Sequence, residues 1–287
     1  MNIRKIIESS KPEDIFDLSI WKDQYQSWIK AVHPDKNPDP KAREAFEKLV
    51  RYKEILENGF QFEDELCKIR QQGRILTFEG PRDKLELSLE NYQRILSTPD
   101  LPSHFHLYLP EKMEMAVDKL KVYLREDSYF ISNLTLEENH VKWCFNRMLE
   151  FSTMLNLNAG FTHCGINPAS VTICPKTHGI QVVSFYHTVP VNDKLRSVIG
   201  LHPYKTWYPT EIFTTKVSNP LVDQLLCKRT AIYLLGDKSG AGTKLRGSID
   251  AGLLDILITQ QSTIQESYIK YKEYLDLSPR VFHELKL

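Results

Sequence analysis

Phe161-Thr-His-Cys-Gly-Ile-Asn-Pro-Ala-Ser-Val-Thr-Ile173, resumed after a short interruption by Ile180-Gln-Val-Val-Ser-Phe-Tyr186, is the passage on which the reading of this chain turns. Its first half is a loop of small and polar residues stiffened by Pro168, and the β-branched runs at 171–173 and 180–186 predict a strand pair. On the amino side, Val141, Cys144, Phe145, Met148, Leu149, Ser152 and Leu155 recur on one helical face, which predicts a long helix over 136–157. Thr135-Leu-Glu-Glu138 ahead of it has the spacing of a capping box. On the carboxyl side, helices are predicted at 221–235, 251–260 and 262–275. Ala231–Leu235 is apolar all round, the mark of a buried central helix.

Before Asn133 the texture is different. Arg74–Phe78, Lys84–Leu89, His104–Leu109, Lys119–Leu124 and Ser128–Ile131 read as short strands between proline-bearing and charged turns, with a short charged helix at about 61–72 ahead of them. Further toward the N-terminus, Trp21, Tyr25, Trp28, Ile29 and Val32 share a helix face. The dense prolines of His33-Pro-Asp-Lys-Asn-Pro-Asp-Pro40 end that helix. A second amphipathic helix, from about Lys41 to Glu57, turns Ala42, Ala45, Phe46, Leu49, Tyr52, Ile55 and Leu56 inward, and Asn58-Gly59 stops it. The expected class is α+β: an antiparallel helical hairpin, a strand-rich part, then a helix-rich part.

Composition narrows the function classes. At 287 residues the chain can bury a sizeable core, and 37 basic residues balance 37 acidic ones. That balance lacks the basic excess of a nucleic-acid or membrane-surface binder, so neither partner is expected. Five cysteines, Cys67, Cys144, Cys164, Cys174 and Cys227, are scattered and form no C-x-x-C, which argues for a reducing compartment rather than a disulfide framework. The N-terminal MNIRKIIESSKPED lacks the apolar run of a signal peptide, and no stretch is long enough to span a bilayer. A soluble cytoplasmic protein is expected.

With two amphipathic helices around a His33-Pro34-Asp35 loop, the first 60 residues resemble a DnaJ-family J-domain, and AVHPDKNPDPKAREAFEKLVRYKEIL (31–56) fits nearly throughout. The resemblance implies docking on a DnaK-class heat-shock ATPase and stimulation of its ATP hydrolysis, by the loop and by the basic face beside it: Lys22, Lys30 and Lys36. Pro34 stiffens the loop, Asp35 offers a fixed carboxylate to a basic surface, and His33 supplies a ring with two polar edges. The helix before the loop departs from the family. It carries only Lys22 and Lys30 with Asp23 opposing, and the segment before Trp21 looks shortened, which weakens electrostatic steering.

From about Thr135 onward the chain resembles the C-terminal lobe of a protein kinase. Phe161–Ile173 stands where kinases carry H-R-D-L-K-P-x-N, Ser184-Phe185-Tyr186 stands at D-F-G, and Trp207-Tyr-Pro-Thr-Glu211 stands near A-P-E. Asp223 matches the aspartate that opens the kinase central helix. The same positions argue against catalysis, because phosphoryl transfer needs a carboxylate base and oxygen ligands for magnesium. Gly165 replaces the base, Asn167 the lysine, Ser170 the magnesium-binding asparagine and Ser184 the D-F-G aspartate, while His163, Pro168 and Phe185 remain. No G-x-G-x-x-G occurs in the strand-rich part, and Lys119 and Lys121 are only nominal candidates for the V-A-I-K lysine. The resemblance therefore implies a pseudokinase with no catalytic residues, no metal and no cofactor. The implied layout is a J-domain over 1–60, a linker helix over 61–72, a reduced N-lobe over 73–134 and a C-lobe over 135–287.

Three local readings compete. His163, Cys164, Cys174 and His178 invite zinc, but their spacing does not match paired ligand patterns, and a loop histidine with buried thiols is preferred. Cys164 beside His163 is a poor nucleophile pair, because neighbours in an extended loop point apart. Tyr204, Trp207 and Tyr208 either pack a stub of the activation segment or form an exposed peptide patch, and burial is the general preference. The expected function is a co-chaperone or adaptor that brings the ATPase to an unknown client held by the kinase-like domain. The alternative is a pseudokinase scaffold or inhibitor with a degenerate J-domain.

Overall fold

The computed structural model describes residues 3–9, 12–99, 101–196, 203–279, 281 and 284–285. The chain divides into two compact units: Met1–Gln61 with Arg70–Gly73 and Lys286–Leu287, and Phe62–Ile69 with Arg74–Leu285.

The first unit is helical: α1 (Ile3–Glu8), α2 (Trp21–Ala31) and α3 (Ala42–Asn58). Its core gathers Ile6, Ile15, Phe16, Tyr25, Val32, Ala45, Leu49 and Tyr52, with Phe16 stacked on Trp28 at 4.9 Å. These are the residues spaced three and four apart along each helix, so the amphipathic stripes find one another. The carbonyls left open at the end of α1 are met from α3: Tyr52 Oη donates to Ser9 O at 3.0 Å, and Lys48 Nζ donates to the carbonyls of Ile7 and Ser9. Gly59, at φ +75°, ends α3 by donating its N–H to Ile55 O.

The strand-rich part is fuller than the sequence suggests. A sheet runs in the order β1-β2-β3-β5-β4, formed by Phe60–Glu63, Lys68–Gln72, Ile75–Glu79, Lys119–Tyr123 and Lys112–Ala116 respectively. Residues 61–72, expected as a linker helix, therefore fall in strands β1 and β2 and the turn between them. Along β2, Ile69 and Gln71 are buried between exposed neighbours, and this period of two overrides the charged, helix-like composition. Lys84–Leu89, expected as a strand, lies inside α4 (Arg82–Leu96). Its inward row of Leu85, Ser88, Tyr92 and Ile95 includes a polar residue, which hid the helical period. His104–Leu109 is likewise a single 3₁₀ turn over Phe105–Tyr108, with the rings at its two ends buried.

In the helix-rich part α5 (Glu138–Leu157) leads to β7 (Phe161–Thr162), and β6 (Tyr129–Phe130), β8 (Val171–Ile173) and β9 (Ile180–Val182) make a three-stranded sheet. β10 (Val189–Pro190) pairs with β7, and α6 (Glu211–Thr215), α7 (Pro220–Leu234), α8 (Ala251–Ile258) and α9 (Ile264–Leu277) complete the unit. The expected capping box is not formed: no side chain caps α5, and Leu136 N–H instead donates to Leu234 O at the end of α7. α7 is centrally buried, opened by Pro220 and capped by Asn219, whose side chain accepts from Leu221 N–H.

Candidate functional site

The His33 loop lies wholly in the first unit and is held by its own hydrogen bonds. Lys36 and Asn37 N–H both donate to His33 O at 2.9 Å, and Asn37 Nδ2 reaches back to Ala31 O at 2.8 Å. The His33 ring meets Phe46 of α3 edge-on at 5.2 Å and accepts from Asp35 N–H through Nδ1 at 3.3 Å. Pro34, Asp35 and Lys36 are exposed, Asp35 with 84% of its side chain in solvent. Lys22 and Lys30 on α2 are exposed as well, Lys22 over the Trp21 ring at 5.8 Å. The arrangement is an exposed carboxylate on a hydrogen-bonded turn, with Lys36 exposed in the turn and Lys22 and Lys30 exposed on α2.

In the second unit the loop at His163 meets the start of α7. Asp223, fully buried, accepts from His163 N–H and Cys164 N–H, one on each carboxylate oxygen, both at 2.7 Å. Burial pushes its carboxyl up to about 7 against the opposing pull of those two bonds. The clamp holds Cys164 at φ +55°, a left-handed conformation that a side chain with a Cβ resists. The His163 ring contacts Ser184 O through Nε2 at 2.8 Å and accepts from Gly165 N–H through Nδ1 at 3.2 Å. That pattern fixes the neutral tautomer, and burial holds the imidazole down at about 3. Tyr92, Phe185, His163 and Phe151 follow one another as ring contacts at 5.9, 5.7 and 6.0 Å.

Asn167, Ser170 and Ser184 are spent on holding the loop. Asn167 Nδ2 donates to Gly165 O, its Oδ1 accepts from Ala169 N–H, and Ser170 Oγ bridges Asn167 N–H and O. Ser184 offers its carbonyl to His163. Lys119, on β5, pairs at the surface with Glu79 at 2.8 Å, far from the role of a buried phosphate-binding lysine. A Cβ at Gly165 would sit 3.0 Å from the His187 ring, so the ring packs closely against the Gly165 backbone.

His187 is one of several residues that sequence reasoning missed. Its Nε2 pairs with Glu65, and the neighbouring Tyr186 hydroxyl donates to Asp64, both carboxylates coming from the turn between β1 and β2. The Glu65 and His187 side chains are only 4% and 3% exposed. Burial, reinforced by Glu65 beside it, pushes the Asp64 carboxyl up to about 7. From α4, Ser88 Oγ accepts from Phe185 N–H, and Asn91 Nδ2 donates to Phe185 O and Thr188 O. Nothing local in the sequence marks that turn; the alternation in Lys68–Gln72, then Gly73 and the run from Ile75, mark only the neighbouring hairpin of β2 and β3.

The rival readings resolve by contact. Tyr204, Trp207 and Tyr208 are buried, and Tyr208 donates to Cys164 O, so they pack the segment. His178 stacks on His140 with Nε2 2.6 Å from Nδ1, and all five cysteines are buried and unbridged. Among the described residues no three His, Cys, Asp or Glu side chains are grouped to hold a metal ion, and no helix is long and apolar enough to cross a membrane.

The fold has solved counterparts. The crystal structure of the BubR1 kinase domain matches at 12% identity with a TM-score of 0.52, covering 77% of this chain and 80% of that chain. At that identity the likeness is one of fold, a protein-kinase-like architecture. No protein-family model matches the sequence, and no curated protein does.

Proposed function

We propose that this protein is an adaptor of the co-chaperone kind, in which a J-domain recruits and stimulates a DnaK-class ATPase while a kinase-like unit without catalytic groups binds a client or partner. The carrying observation is the exposed, internally braced His33-Pro34-Asp35 turn that follows α2, with Lys36 exposed in the turn and Lys22 and Lys30 exposed on α2. A preformed loop loses little conformational freedom on docking, and an exposed carboxylate can pair with a basic site. On the other side, Gly165, Asn167, Ser170 and Ser184 supply neither a base nor magnesium ligands, so the reading includes no enzymatic activity and no bound cofactor. The test is ATP hydrolysis by the host's DnaK-class chaperone, alone and with either wild-type protein or Asp35→Asn. Stimulation by wild type and its loss in the variant are expected; equal rates with both would sink the reading.

A second reading, a pseudokinase scaffold whose J-like unit has lost its docking function, is favoured by the sparse basicity of α2, where Asp23 sits beside Lys22. It requires Asp35→Asn to keep full activity in a complementation assay.

A further inference from the structure

In a kinase the turn between the first two strands is glycine-rich, so that its backbone can close over the nucleotide phosphates. Here that turn carries Asp64 and Glu65, and both side chains point into the unit. Asp64 serves two ends at once: Oδ1 accepts from Leu66 and Cys67 N–H at 2.8 and 2.7 Å, while Oδ2 accepts from the Tyr186 hydroxyl. Glu65 pairs with His187, whose ring stands against Gly165. From the outside the turn backs onto Gly80, where a Cβ would fall 2.7 Å from both Cys67 Sγ and Leu66 O.

We propose that Asp64–Cys67 is a built-in latch that fills the kinase-like cleft in place of a nucleotide and ties the turn to Tyr186 and His187, so that the unit holds its closed form without a ligand. The proposal stands apart from chaperone recruitment and does not depend on it. Its logic is both steric and electrostatic. His187 occupies the space beside the base position, and two acidic side chains face the region where a polyphosphate would bring further negative charge. Each contact joins neighbouring residues on one segment to neighbouring residues on the other, Asp64–Glu65 to Tyr186–His187, so the two reinforce each other. Removing one partner of a buried pair leaves the other desolvated and uncompensated, which opens the latch.

Cys67 is a native reporter of that opening. It is 4% exposed, and burial pushes its thiol up from the ordinary range, so it reacts only when the turn lifts. Full-length protein would be pulse-alkylated with iodoacetamide, with and without excess MgATP, and each cysteine followed by mass spectrometry. Slow labelling of wild-type Cys67, indifferent to MgATP, is expected. Glu65→Gln should raise the Cys67 rate roughly tenfold or more while leaving Cys227 in α7 unchanged. Rapid labelling of wild-type Cys67, a Glu65→Gln rate equal to wild type, or a MgATP effect on wild type each overturns the latch. Should Glu65→Gln label all five thiols alike through misfolding, Tyr186→Phe, which deletes one hydroxyl, decides in its place. A selective rise at Cys67 supports the latch, and no rise refutes it.

Discussion

Asp223→Ala is the perturbation that tests the organisation of the kinase-like unit most directly. The carboxylate is 1% exposed and accepts two backbone N–H groups at 2.7 Å, so the substitution leaves both donors buried without a partner. Leaving a buried donor unsatisfied costs about 1–3 kcal/mol, which puts the gross loss at about 2–6 kcal/mol. Some of this returns, because the loop no longer holds Cys164 at φ +55°, a conformation that costs about 1–2 kcal/mol. The net expectation is about 3 kcal/mol, a large share of the stability of an ordinary domain and a fall in Tm of roughly 6–12 °C. Urea unfolding at about pH 6, below the raised carboxyl value of about 7 so that no buried charge offsets the loss, measures it, and amide exchange locates it at His163 and Cys164. Asp118→Ala, in the exposed turn between β4 and β5, is the control and should cost within about 0.5 kcal/mol. The reasoning fails if Asp223→Ala costs less than about 1 kcal/mol, or if both amides keep their wild-type protection.

Three further outcomes follow from particular burials. His163 is held down at about 3 by burial, below its unfolded value, so its contribution is present above about pH 6.5 and lost as pH falls. Wild type should therefore lose about 2 kcal/mol relative to His163→Phe between about pH 7.5 and 5 in urea titrations. Lys228, buried against Thr259 O and Gln261 Oε1 and lowered to about 8 by desolvation, binds its proton more tightly in the unfolded chain. Wild type should accordingly gain about 1–2 kcal/mol on Lys228→Met as pH rises from about 8 to 10, read by the same titration. Gly240 sits at φ +71°, and a Cβ there would fall 2.7 Å from Trp207 Cε2. Gly240→Ala should cost about 2–4 kcal/mol and shift the tryptophan emission, and an unchanged spectrum and Tm would contradict the packing.

Much of the architecture was legible because it rests on local periodicity. The stripe of Val141, Cys144, Phe145, Met148 and Leu149 places α5, and the apolar run Ala231–Leu234 marks a helix buried on every side. His163 was legible as a loop histidine that holds backbone, whereas the grip of Asp223 on His163 and Cys164 N–H was not. What was misread had ambiguous composition. Residues 61–72 are charged enough to look helical, and α4 turns Ser88 and Asn91 inward, which blurs its stripe.

The sequence by itself determined α2, α3, α5, α7, α8 and α9, the β8–β9 pair and the break in the chain at His33-Pro34-Asp35. Each depends on residue type or short-range spacing, which a chain carries wherever it folds. Only the tertiary structure decided how the turn between β1 and β2 meets the segment after β9. Glu65 and His187, like Asp64 and Tyr186, stand 122 residues apart, and nothing local to either end selects the other. Burial makes the choice, since a desolvated carboxylate must find a hydrogen-bond donor within reach, and the fold offers these.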